Sequence, residues 1–510
     1  MMKATIAPKT ILLFIVFSTA ALVGVAGAAP PDRPNIVFIL ADDMGYGEVS
    51  AMNPDRCKVP TPAIDQLVSQ GMHFTDAHSS SSVCTPTRYS ILTGRYNWRT
   101  QLQRFVLYGY SPPLIDPHRV TVADFLKDQG YNTAAIGKWH LGMDIPTTDG
   151  KAPGKGHSPE NIDWTGTIEN GPTARGFDYF YGISASLDMP PFIYIENDRF
   201  VGQATATKKY QREGPAEPDF EAVDVLPMLK QKAVQYINRQ TAERPYFAYI
   251  ALNSPHTPIV PSAQWNGKSA VGRYGDFVMQ TDDVVGAIVD AVDQSPGAKN
   301  TIVIFTTDNG CSKMAKIEQL KEKGHYVSGP LRGSKGDLWE GGHRVPFVVR
   351  WPAKIEPSTR SDQTIGQWDL MATCAEILAT ELPAGSAEDS VSFLPALHGQ
   401  PIQSTRAGII HHAIDGHFAY RQGDWKLLLA RGSGGLTAPR EKNVSADAPE
   451  AQLYDLASDL GETNNLYLSE PDVANRLLGL LESDVRRGRS TEGTDEKNDV
   501  MHVKLWKSKP

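Results

Sequence analysis

A short stretch around Cys84 holds the residues of this chain with the clearest chemical potential. It reads Cys-Thr-Pro-Thr-Arg at 84–88. Pro86 suits the first turn of a helix, where its missing N–H costs nothing, and Gly94 suits the helix C-terminus. Cys84 is then expected just before the helix, beside unpaired backbone N–H groups, with Arg88 one turn further on. Such a place favours an anion or a charged transition state. The alternative is a buried cysteine beside an ordinary helix start.

Two pairs of polar residues follow apolar runs that are typical of buried strands. Asp42 and Asp43 follow one run, and Asp308 and Asn309 follow another. In open α/β sheets, ligands gather at the carboxyl ends of the strands, so the four side chains are expected to converge. Three carboxylates and one amide make an all-oxygen site, which suits Ca²⁺ or Mg²⁺ rather than zinc. Each pair alone is weak evidence, because Asp and Asn also favour turns.

Four further residues with basic side chains occupy comparable positions. Lys138 and His140 follow a third apolar run, His256 follows a fourth, and Lys335 lies in a glycine-containing loop. Any one of them alone could be a solvated turn residue. Cations aimed at one place repel one another unless an anion or carboxylates are present. Their expected convergence therefore indicates a functional site rather than a stabilising one.

The elements that must position these residues alternate between apolar strands and amphipathic helices. This alternation predicts an α/β fold with a large, mostly parallel or mixed sheet sandwiched by helices. Two long segments rich in glycine, proline and polar residues, 144–176 and 311–329, are predicted to be loops, and loops of that length are often functional. The predicted strands are 35–40, 132–137, 245–252 and 301–306, and the predicted helices are 61–71, 120–129 and 275–292.

The pattern changes near residue 384. Two short apolar runs flank Gln-Gly-Asp at 422–424 as a hairpin would, and residues 453–456 are predicted as another strand. Residues 471–486 have the spacing of a helix. We therefore expect a catalytic domain at 33–383 and a smaller α+β subdomain with a short antiparallel sheet at 384–510.

The N-terminus is typical of an export signal. Lys3 and Lys9 precede an apolar run at 11–25, and Ala-Gly-Ala at 26–28 has the small-x-small form of a cleavage site. The alternative, a membrane anchor, would need a longer apolar run. We expect a signal peptide at 1–28, a periplasmic or secreted protein, and no membrane association after cleavage.

Composition and cysteine content narrow the class of protein. The 510 residues carry a net charge of −8, which argues weakly against a nucleic-acid partner. Four cysteines are too few for a disulfide scaffold in so long a chain. If Cys84 is consumed by oxidation, at most one bridge can form among Cys57, Cys311 and Cys374, and the sequence does not say which.

These stretches resemble the type I, formylglycine-dependent sulfatases, of the bacterial arylsulfatase or glycan sulfatase type. The resemblance covers residues 34 to about 466. It departs from the family pattern at Ser334, where glycine is usual, and at His343, where an apolar residue is commoner. The matching motifs are Cys-Thr-Pro-Thr-Arg at 84–88 with Leu-Thr-Gly-Arg at 92–95, Gly-Lys-Trp-His at 137–140, Asn-Ser-Pro-His at 253–256, Asp-Asn-Gly at 308–310 and the lysine-containing loop at 331–347.

The resemblance implies an alkaline-phosphatase-like sulfatase fold and the hydrolysis of sulfate esters. It also implies that a formylglycine-generating or anaerobic sulfatase-maturing enzyme oxidises Cys84 to 3-oxoalanine (formylglycine), whose hydrated aldehyde is the nucleophile. The implied ligands of one Ca²⁺ per chain are Asp42, Asp43, the converted Cys84, Asp308 and Asn309. The implied catalytic residues are Cys84, Arg88, Lys138, His140, His256 and Lys335.

The same resemblance implies a role for each group. Asp308 helps to deprotonate the attacking hydroxyl of the hydrated aldehyde, and His140 takes the proton of the second hydroxyl, which then expels sulfate. His256 with Lys335 protonates the departing alcohol. Arg88, Lys138 and Lys335 neutralise the sulfate charge together with the metal, the electrostatic contribution that usually dominates.

Other readings remain open at this point. The chain could be a phosphomonoester or phosphonate ester hydrolase of the same superfamily, or an inactive protein that binds sulfated glycans. Export favours a sulfated carbohydrate substrate, such as an algal galactan or a glycosaminoglycan. The candidates for sugar contacts, which could equally be solvated loop residues, are the segment 144–191 and His325, His411, His412 and His417.

Overall fold

The computed structural model describes residues 1–5 and 33–507, so most of the predicted signal peptide, residues 6–28, lies outside the described residues. Eighteen strands and ten α-helices form within them. The strands are β1 (Asn35–Asp42), β2 (Met72–Phe74), β3 (Ala77–His78), β4 (Asn132–Lys138), β5 (Tyr179–Ile183), β6 (Ile195–Glu196), β7 (Arg199–Phe200), β8 (Ala206–Tyr210), β9 (Arg212–Ala216), β10 (Tyr246–Pro255), β11 (Thr301–Thr307), β12 (Phe347–Arg350), β13 (Thr359–Ser361), β14 (Ile365–Gly366), β15 (Ile409–His412), β16 (Phe418–Gln422), β17 (Trp425–Leu428) and β18 (Gln452–Asp455). The helices are α1 (Pro62–Gln70), α2 (Cys84–Thr93), α3 (Val122–Asp128), α4 (Ala222–Asn238), α5 (Arg273–Gln294), α6 (Ile317–Glu322), α7 (Glu340–His343), α8 (Leu370–Ile377), α9 (Leu394–Leu397) and α10 (Pro471–Arg486).

Ten strands form one mixed sheet, in the order β13-β2-β12-β11-β1-β10-β4-β5-β6-β7. The five central strands, β11 to β5 in that order, run parallel, whereas β12 is antiparallel to β11 and β6 is antiparallel to β5. All carboxyl ends of the parallel strands therefore meet at one edge. The predicted large mixed sheet is confirmed.

The sheet is covered by helices on both faces. Along β1, Ile36, Phe38 and Leu40 point to a core shared with α2, α3 and α8, while Val37 and Ile39 point to a core shared with α1, α4 and α5. A strand buried on both faces needs apolar side chains at successive positions, which is why residues 36–40 form a continuous apolar run.

Most of the predicted elements are present with small changes at their ends. The helix predicted at 275–292 is α5, the helix predicted at 61–71 is α1, and the helix predicted at 471–486 is α10 with the same bounds. The predicted hairpin is formed by β16 and β17, which pair from Gln422 to Trp425 across a two-residue turn.

One helix lies in a segment for which the sequence analysis predicts no element, and one predicted loop needs correction. Residues 222–238 form α4, which contains Pro227. A proline inside a helix removes one hydrogen bond, and the apolar contacts of α4 outweigh that loss. The segment 311–329, predicted as a loop, contains the short helix α6, in which only Leu320 is buried. One buried residue gives no periodic signal.

A separate antiparallel sheet, β15-β16-β17-β18, lies near the C-terminus, and α10 packs on β16 and β17. This confirms the predicted small antiparallel sheet, while the domain boundary at residues 383 and 384 remains a prediction. All four cysteines are free and buried. Within residues 1–5 and 33–507, no helix combines the length and apolar character needed to cross a bilayer.

Candidate active site

The carboxyl ends of the parallel strands hold nearly all the residues singled out from the sequence. β1 ends at Asp42, β4 at Lys138, β10 just before His256 and β11 just before Asp308. The structure brings the ten predicted site residues to this edge, with α2 and the loop carrying Lys335 closing it from the side. These ten are Asp42, Asp43, Cys84, Arg88, Lys138, His140, His256, Asp308, Asn309 and Lys335.

Cys84 is the first residue of α2 rather than the residue before it. Val83 is the N-cap, and Gly94 closes the helix in the left-handed conformation, with its N–H donated to the Ser90 carbonyl. The Cys84 Sγ lies 3.8 Å from Asp42 Oδ1 and 3.5 Å from Lys335 Nζ. Burial raises the pKa of the Cys84 thiol to about 12. The unmodified side chain is therefore a neutral thiol at neutral pH.

Arg88 ties α2 to the strand ends. Its Nη2 and Nε donate to Asp308 Oδ2 at 2.7 and 3.2 Å, and its Nη1 donates to the Lys138 carbonyl at 3.1 Å. Burial by itself would lower the pKa of Arg88. The negative charges of Asp308 and Asp42 together outweigh that effect and raise the pKa above its usual value. The guanidinium is thus a permanent positive charge one helical turn from Cys84.

The predicted metal ligands form a compact oxygen-rich group. Asp43 has a left-handed backbone (φ 66°), and its N–H donates to Asp308 Oδ1 at 3.1 Å. Asn309 Nδ2 donates to Asp43 Oδ1 at 2.7 Å, which leaves Asn309 Oδ1 buried without a hydrogen-bond partner among the described residues. An unpaired buried amide oxygen is costly, and it points to a ligand position.

The carboxylates themselves compete for the available positive charge. Burial acts to raise the pKa of Asp42, but Lys138, His256 and Arg88 hold it well below the usual range. Burial and the negative charge of Asp42 raise the pKa of Asp308 to about 6. A divalent cation among these oxygens would relieve the repulsion between them. The residues present therefore fit Ca²⁺, a hard ion that prefers carboxylate and carbonyl oxygens.

Two lysines belong to a group of six charged side chains at this edge that we call the catalytic cluster. Its members are Asp42, Asp43, Asp308, Arg88, Lys138 and Lys335. Lys138 Nζ donates to Asp42 Oδ2 at 2.7 Å and to Ser186 Oγ at 2.9 Å. Lys335 Nζ donates to Asp43 Oδ2 at 2.8 Å, and its side chain is 12% exposed. Lys335 therefore reaches the Cys84 sulfur from the side on which the site meets solvent.

The two histidines differ in which ring nitrogen is free. His140 Nε2 lies 2.8 Å from the Leu107 carbonyl and must carry the proton there, so Nδ1 presents a lone pair, buried and without a partner among the described residues. Burial, Lys138 and Arg88 hold the pKa of His140 well below its usual range. His256 Nδ1 lies 2.5 Å from the Thr257 carbonyl, so its Nε2 is the nitrogen that faces Asp43, at 3.6 Å, and Ser186.

Ser186 is a residue of the site that the sequence did not point to. It accepts a hydrogen bond from Lys138 and lies 3.2 Å from His256 Nε2. It comes three residues after β5, so the rule that found the other strand-end residues would have found it too. The signal was missed because β5, with two tyrosines and a glycine among five residues, was not assigned as a strand.

A second buried ionic group joins the main sheet to the C-terminal sheet. This interface cluster consists of Asp76, Glu340, Glu462, Arg344, Arg421 and Lys426. Lys426 Nζ donates to Glu340 and Glu462, both at 2.8 Å, and Arg421 donates to both oxygens of Asp76 at 2.7 and 2.8 Å.

Three histidines, His78, His343 and His411, lie beside the interface cluster and could be mistaken for a metal site. The rings of His343 and His411 are stacked with centroids 3.6 Å apart. Two imidazoles bound to one ion would diverge from it, with centroids about 5 Å apart for Zn–N bonds of ~2.1 Å. We therefore assign these histidines to packing between the two sheets.

The histidines predicted as sugar contacts or solvated loop residues are neither. His325, His411, His412 and His417 are at most 6% exposed. His325 lies against Glu48, and His411 and His412 belong to β15. His325 and His417 do lie in loops, but the predicted exposure of all four side chains is wrong, because partners far away in the sequence bury them. The segment 144–191 does form a long connection between β4 and β6, interrupted by β5, and its role in sugar contact stays a prediction.

Comparison with known proteins gives consistent matches over the whole of this architecture. A family model described as Sulfatase matches residues 34–380. An N-acetylgalactosamine-6-O-sulfatase of Bacteroides thetaiotaomicron is 33% identical, over 88% of this chain and 93% of the relative. Arylsulfatase A of Bos taurus is 31% identical, over 90% of this chain and 88% of the relative. A solved structure from Bacteroides thetaiotaomicron, described in connection with the metabolism of multiple glycosaminoglycans, has a TM-score of 0.77 and 31% identity, over 89% of this chain and 99% of that one.

Proposed function

Because the chain belongs to the sulfatase family and is a sulfuric ester hydrolase, we propose that it removes sulfate from sulfated carbohydrates, with a formylglycine derived from Cys84 as nucleophile and one bound Ca²⁺. The observation that carries this proposal is the position of Cys84. Its sulfur lies at the first turn of α2, within 3.8 Å of both a carboxylate and a lysine of the catalytic cluster. A reacting group there faces fixed positive charge on several sides.

The residues that would hold the ion are Asp42, Asp43, Asp308, Asn309 and the converted residue 84. When bound, Ca²⁺ supplies a fixed positive charge that attracts the sulfate oxygens and the attacking oxygen. The buried, unpartnered Asn309 Oδ1 supports this assignment. Lys138 and Lys335, which pair with Asp42 and Asp43 in this structure, would be available to sulfate if those carboxylates held the ion.

Binding and orientation of the ester fall to the cations of this chain. Lys335 Nζ lies 3.5 Å from the Cys84 sulfur, and the charges of Lys138 and Arg88 also act on this thiol, so the three cations can bind the oxygens of a sulfate held there. Their charges compensate the negative charge that shields the sulfur atom. Two hydrogen bonds to Asp308 hold Arg88 in place. Its guanidinium therefore needs little rearrangement when the ester binds.

Proton transfers can be assigned to particular atoms. The free Nδ1 of His140 is an acceptor, and a lowered pKa keeps that ring neutral and ready to take a proton. His256 Nδ1 donates its proton to a hydrogen bond with the Thr257 carbonyl. Nε2 is therefore the ring nitrogen that can deliver a proton to a departing alcohol. Lys335 lies on the same side and can share this role of general acid.

The test compares matched esters and examines residue 84 directly. N-acetylgalactosamine 6-sulfate is the first substrate to try, because it is the group in the name of a relative that covers 88% of this chain. We expect hydrolysis of this ester and not of the matching 6-phosphate, and mass spectrometry of tryptic peptide 59–88 from active enzyme should show the aldehyde or its hydrate. Preferred hydrolysis of the phosphate would favour a phosphomonoesterase, and an unaltered thiol in active enzyme would contradict the formylglycine.

Export and maturation complete the proposal. We infer that residues 1–28 direct the chain to the periplasm or the medium and are then removed, and that a formylglycine-generating or anaerobic sulfatase-maturing enzyme converts Cys84. N-terminal sequencing of the exported protein should begin after Ala28. A mature protein that retains Lys3 and Lys9 would contradict the signal peptide.

A further inference from the structure

A cleft of about 680 Å³ lies beside the loop that carries Lys335. Its volume falls in the range of about 300–1,000 Å³ that is usual for small-molecule sites. One wall is formed by residues 326–334, which lead directly into Lys335, and another by residues 313–321, which follow Asp308 and Asn309 closely in the chain. A third wall comes from residues 436–438 of the C-terminal region.

The side chains that line this cleft are strongly basic. Five cations and one carboxylate face it, a local charge of +4 in a chain whose net charge is −8. Glu318 is paired with Lys321 at 3.0 Å. The lining cations are Arg56, Lys313, Lys316, Lys321 and Arg332. Such an excess of one sign is unfavourable for folding and favours an anionic ligand.

Some of these cations are held in place and others are free to reach a ligand. Arg332 stacks on Trp339, with its guanidinium carbon 3.6 Å from the ring centroid, and Arg56 donates to the Gly329 carbonyl at 3.0 Å. Lys313 and Lys316 are exposed, and no carboxylate lies within ion-pair distance of either among the described residues. The cleft therefore combines two fixed guanidinium groups with two mobile ammonium groups.

Backbone geometry connects the cleft to the catalytic cluster. The Lys335 N–H donates to the Cys311 carbonyl at 3.0 Å, and Ser334 Oγ lies 3.2 Å from Thr437 Oγ1 on the third wall. Gly333 and Ser334 thus line the cleft while the next side chain reaches Cys84. A glycan whose sulfate lies at Cys84 has this cleft next to it along the Lys335 loop.

An aromatic ring adds a surface suited to a sugar. Tyr326 lines the cleft, is 39% exposed and lies under Arg56, whose guanidinium carbon is 5.4 Å from the ring centroid. We propose that the cleft binds a second acidic sugar, one that carries a carboxylate or a sulfate, next to the sugar that is desulfated. This inference rests on the proposed function and makes the preferred substrate a polyanionic oligosaccharide rather than a monosaccharide.

The experiment removes the two mobile charges of the cleft. The variant Lys313→Ala/Lys316→Asn uses asparagine at 316 because the backbone there is left-handed (φ 62°), a conformation that asparagine tolerates. Its charge-matched control is Lys299→Ala/Lys354→Ala, because both positions lie at the opposite edge of the sheet, before β11 and after β12. Both pairs are placed in a Cys84→Ala background for calorimetric titration, so that no turnover occurs.

The probes are N-acetylgalactosamine 6-sulfate and a tetrasaccharide from chondroitin 6-sulfate, which carries the same ester with further anionic groups. We expect the ratio of the tetrasaccharide Kd to the monosaccharide Kd to rise about 5- to 20-fold in the cleft variant, and to stay unchanged in the control. The tetrasaccharide Kd should also depend less on salt in the cleft variant. An unchanged ratio, or an equal loss in the control, would overturn the inference.

Hydrolysis of the same two probes by the active enzyme separates this inference from the proposed function. If neither ester is cleaved while tetrasaccharide binding still depends on Lys313 and Lys316, the proposed action on this ester fails and the cleft stands. If both are cleaved and the cleft variant has the same ratio of KM values as the parent enzyme, the function stands and the cleft inference fails.

Discussion

The catalytic cluster and the interface cluster hold the same charges and differ in what those charges surround. Each contains three carboxylates and three cations. In the interface cluster the ion pairs satisfy one another, and both ring nitrogens of the adjoining His78 and His343 have partners, whereas Nε2 of the stacked His411 ring has none among the described residues. The catalytic cluster surrounds the Cys84 thiol, the unpartnered Oδ1 of Asn309 and the unpartnered Nδ1 of His140.

This difference shows that buried charge alone does not distinguish a site of reaction from a structural contact between two sheets. Desolvation of the charged groups carries a free-energy cost in both clusters, so neither cluster is by itself evidence of stabilisation. What separates them is what the charges surround: the catalytic cluster has the Cys84 thiol together with an unpartnered amide oxygen and an unpartnered imidazole nitrogen, whereas the unpartnered nitrogen beside the interface cluster belongs to a ring stacked between the two sheets. We therefore expect substitutions in the catalytic cluster to reduce turnover most, and substitutions in the interface cluster to reduce stability most.

The largest effect is expected at Cys84. Cys84→Ala removes the proposed nucleophile, so kcat should fall by at least about 1,000-fold, whereas the free energy of unfolding should change by only about 1 kcal/mol. Steady-state kinetics and denaturant unfolding of the same preparation check both values. Activity within tenfold of the parent enzyme, or loss of the fold, would contradict a purely catalytic role.

A matched pair of lysine substitutions compares the two clusters directly. Lys426→Met leaves Glu340 and Glu462 buried beside an apolar group, so the free energy of unfolding should fall by about 3–5 kcal/mol while the folded fraction keeps its kcat. Lys138→Met should instead lose most of its activity at a temperature where it is still folded. A lower kcat of folded Lys426→Met, with an unchanged free energy of unfolding, would contradict this comparison.

Chelation should affect only the catalytic cluster. Removal of Ca²⁺ with EGTA should abolish activity and lower the melting temperature, because bound metal contributes about 2.7 kcal/mol at 100 times its Kd. Added Ca²⁺ should restore both properties, and circular dichroism and activity measurements follow them together. Full activity after exhaustive dialysis against EGTA would remove calcium from the proposal.

The smallest effect is a pH dependence in the interface cluster. Burial and the charge of Glu340 raise the pKa of Glu462 to about 7, although Lys426 opposes them, from an ordinary value of 4.5. Between these two pH values the native chain keeps a proton that the unfolded chain loses, so this group makes stability fall as pH rises from 4.5 to about 7. Glu462→Gln removes the titration, and the variant should gain stability relative to the parent across that window. Chemical unfolding at several pH values tests this, and a parallel pair of curves would contradict it.

The strand-end residues could be predicted because each follows a long apolar run. The length and the β-branched residues of segments 35–40 and 301–306 favour buried strands, and a parallel sheet carries Asp42, Asp308 and their neighbours to one edge. The same reasoning located His256 and Lys138. Local sequence was sufficient there, because each strand brings its own terminal residue to the site.

The rest depends on contacts that no local pattern encodes. The interface cluster combines residues as distant as Asp76 and Glu462, each in an unremarkable local setting. His411 and His412 interrupt a short apolar stretch with two polar side chains, which alone gives no sign of burial, but pairing of β15 with β16 buries them. Ser186 was missed because β5 is too short to stand out from its surroundings.

The burial of α2 has a consequence for the proposed oxidation of Cys84. Every residue from Cys84 to Thr93 is buried, and the Cys84 side chain is only 2% exposed. The proposed oxidation of Cys84 needs access to its thiol, which the folded chain encloses. If the proposal is correct, we expect conversion to precede folding, on the nascent or still unfolded polypeptide. A thiol-containing protein that has already folded should resist later treatment with the maturation enzyme, and unfolding it beforehand should remove that resistance.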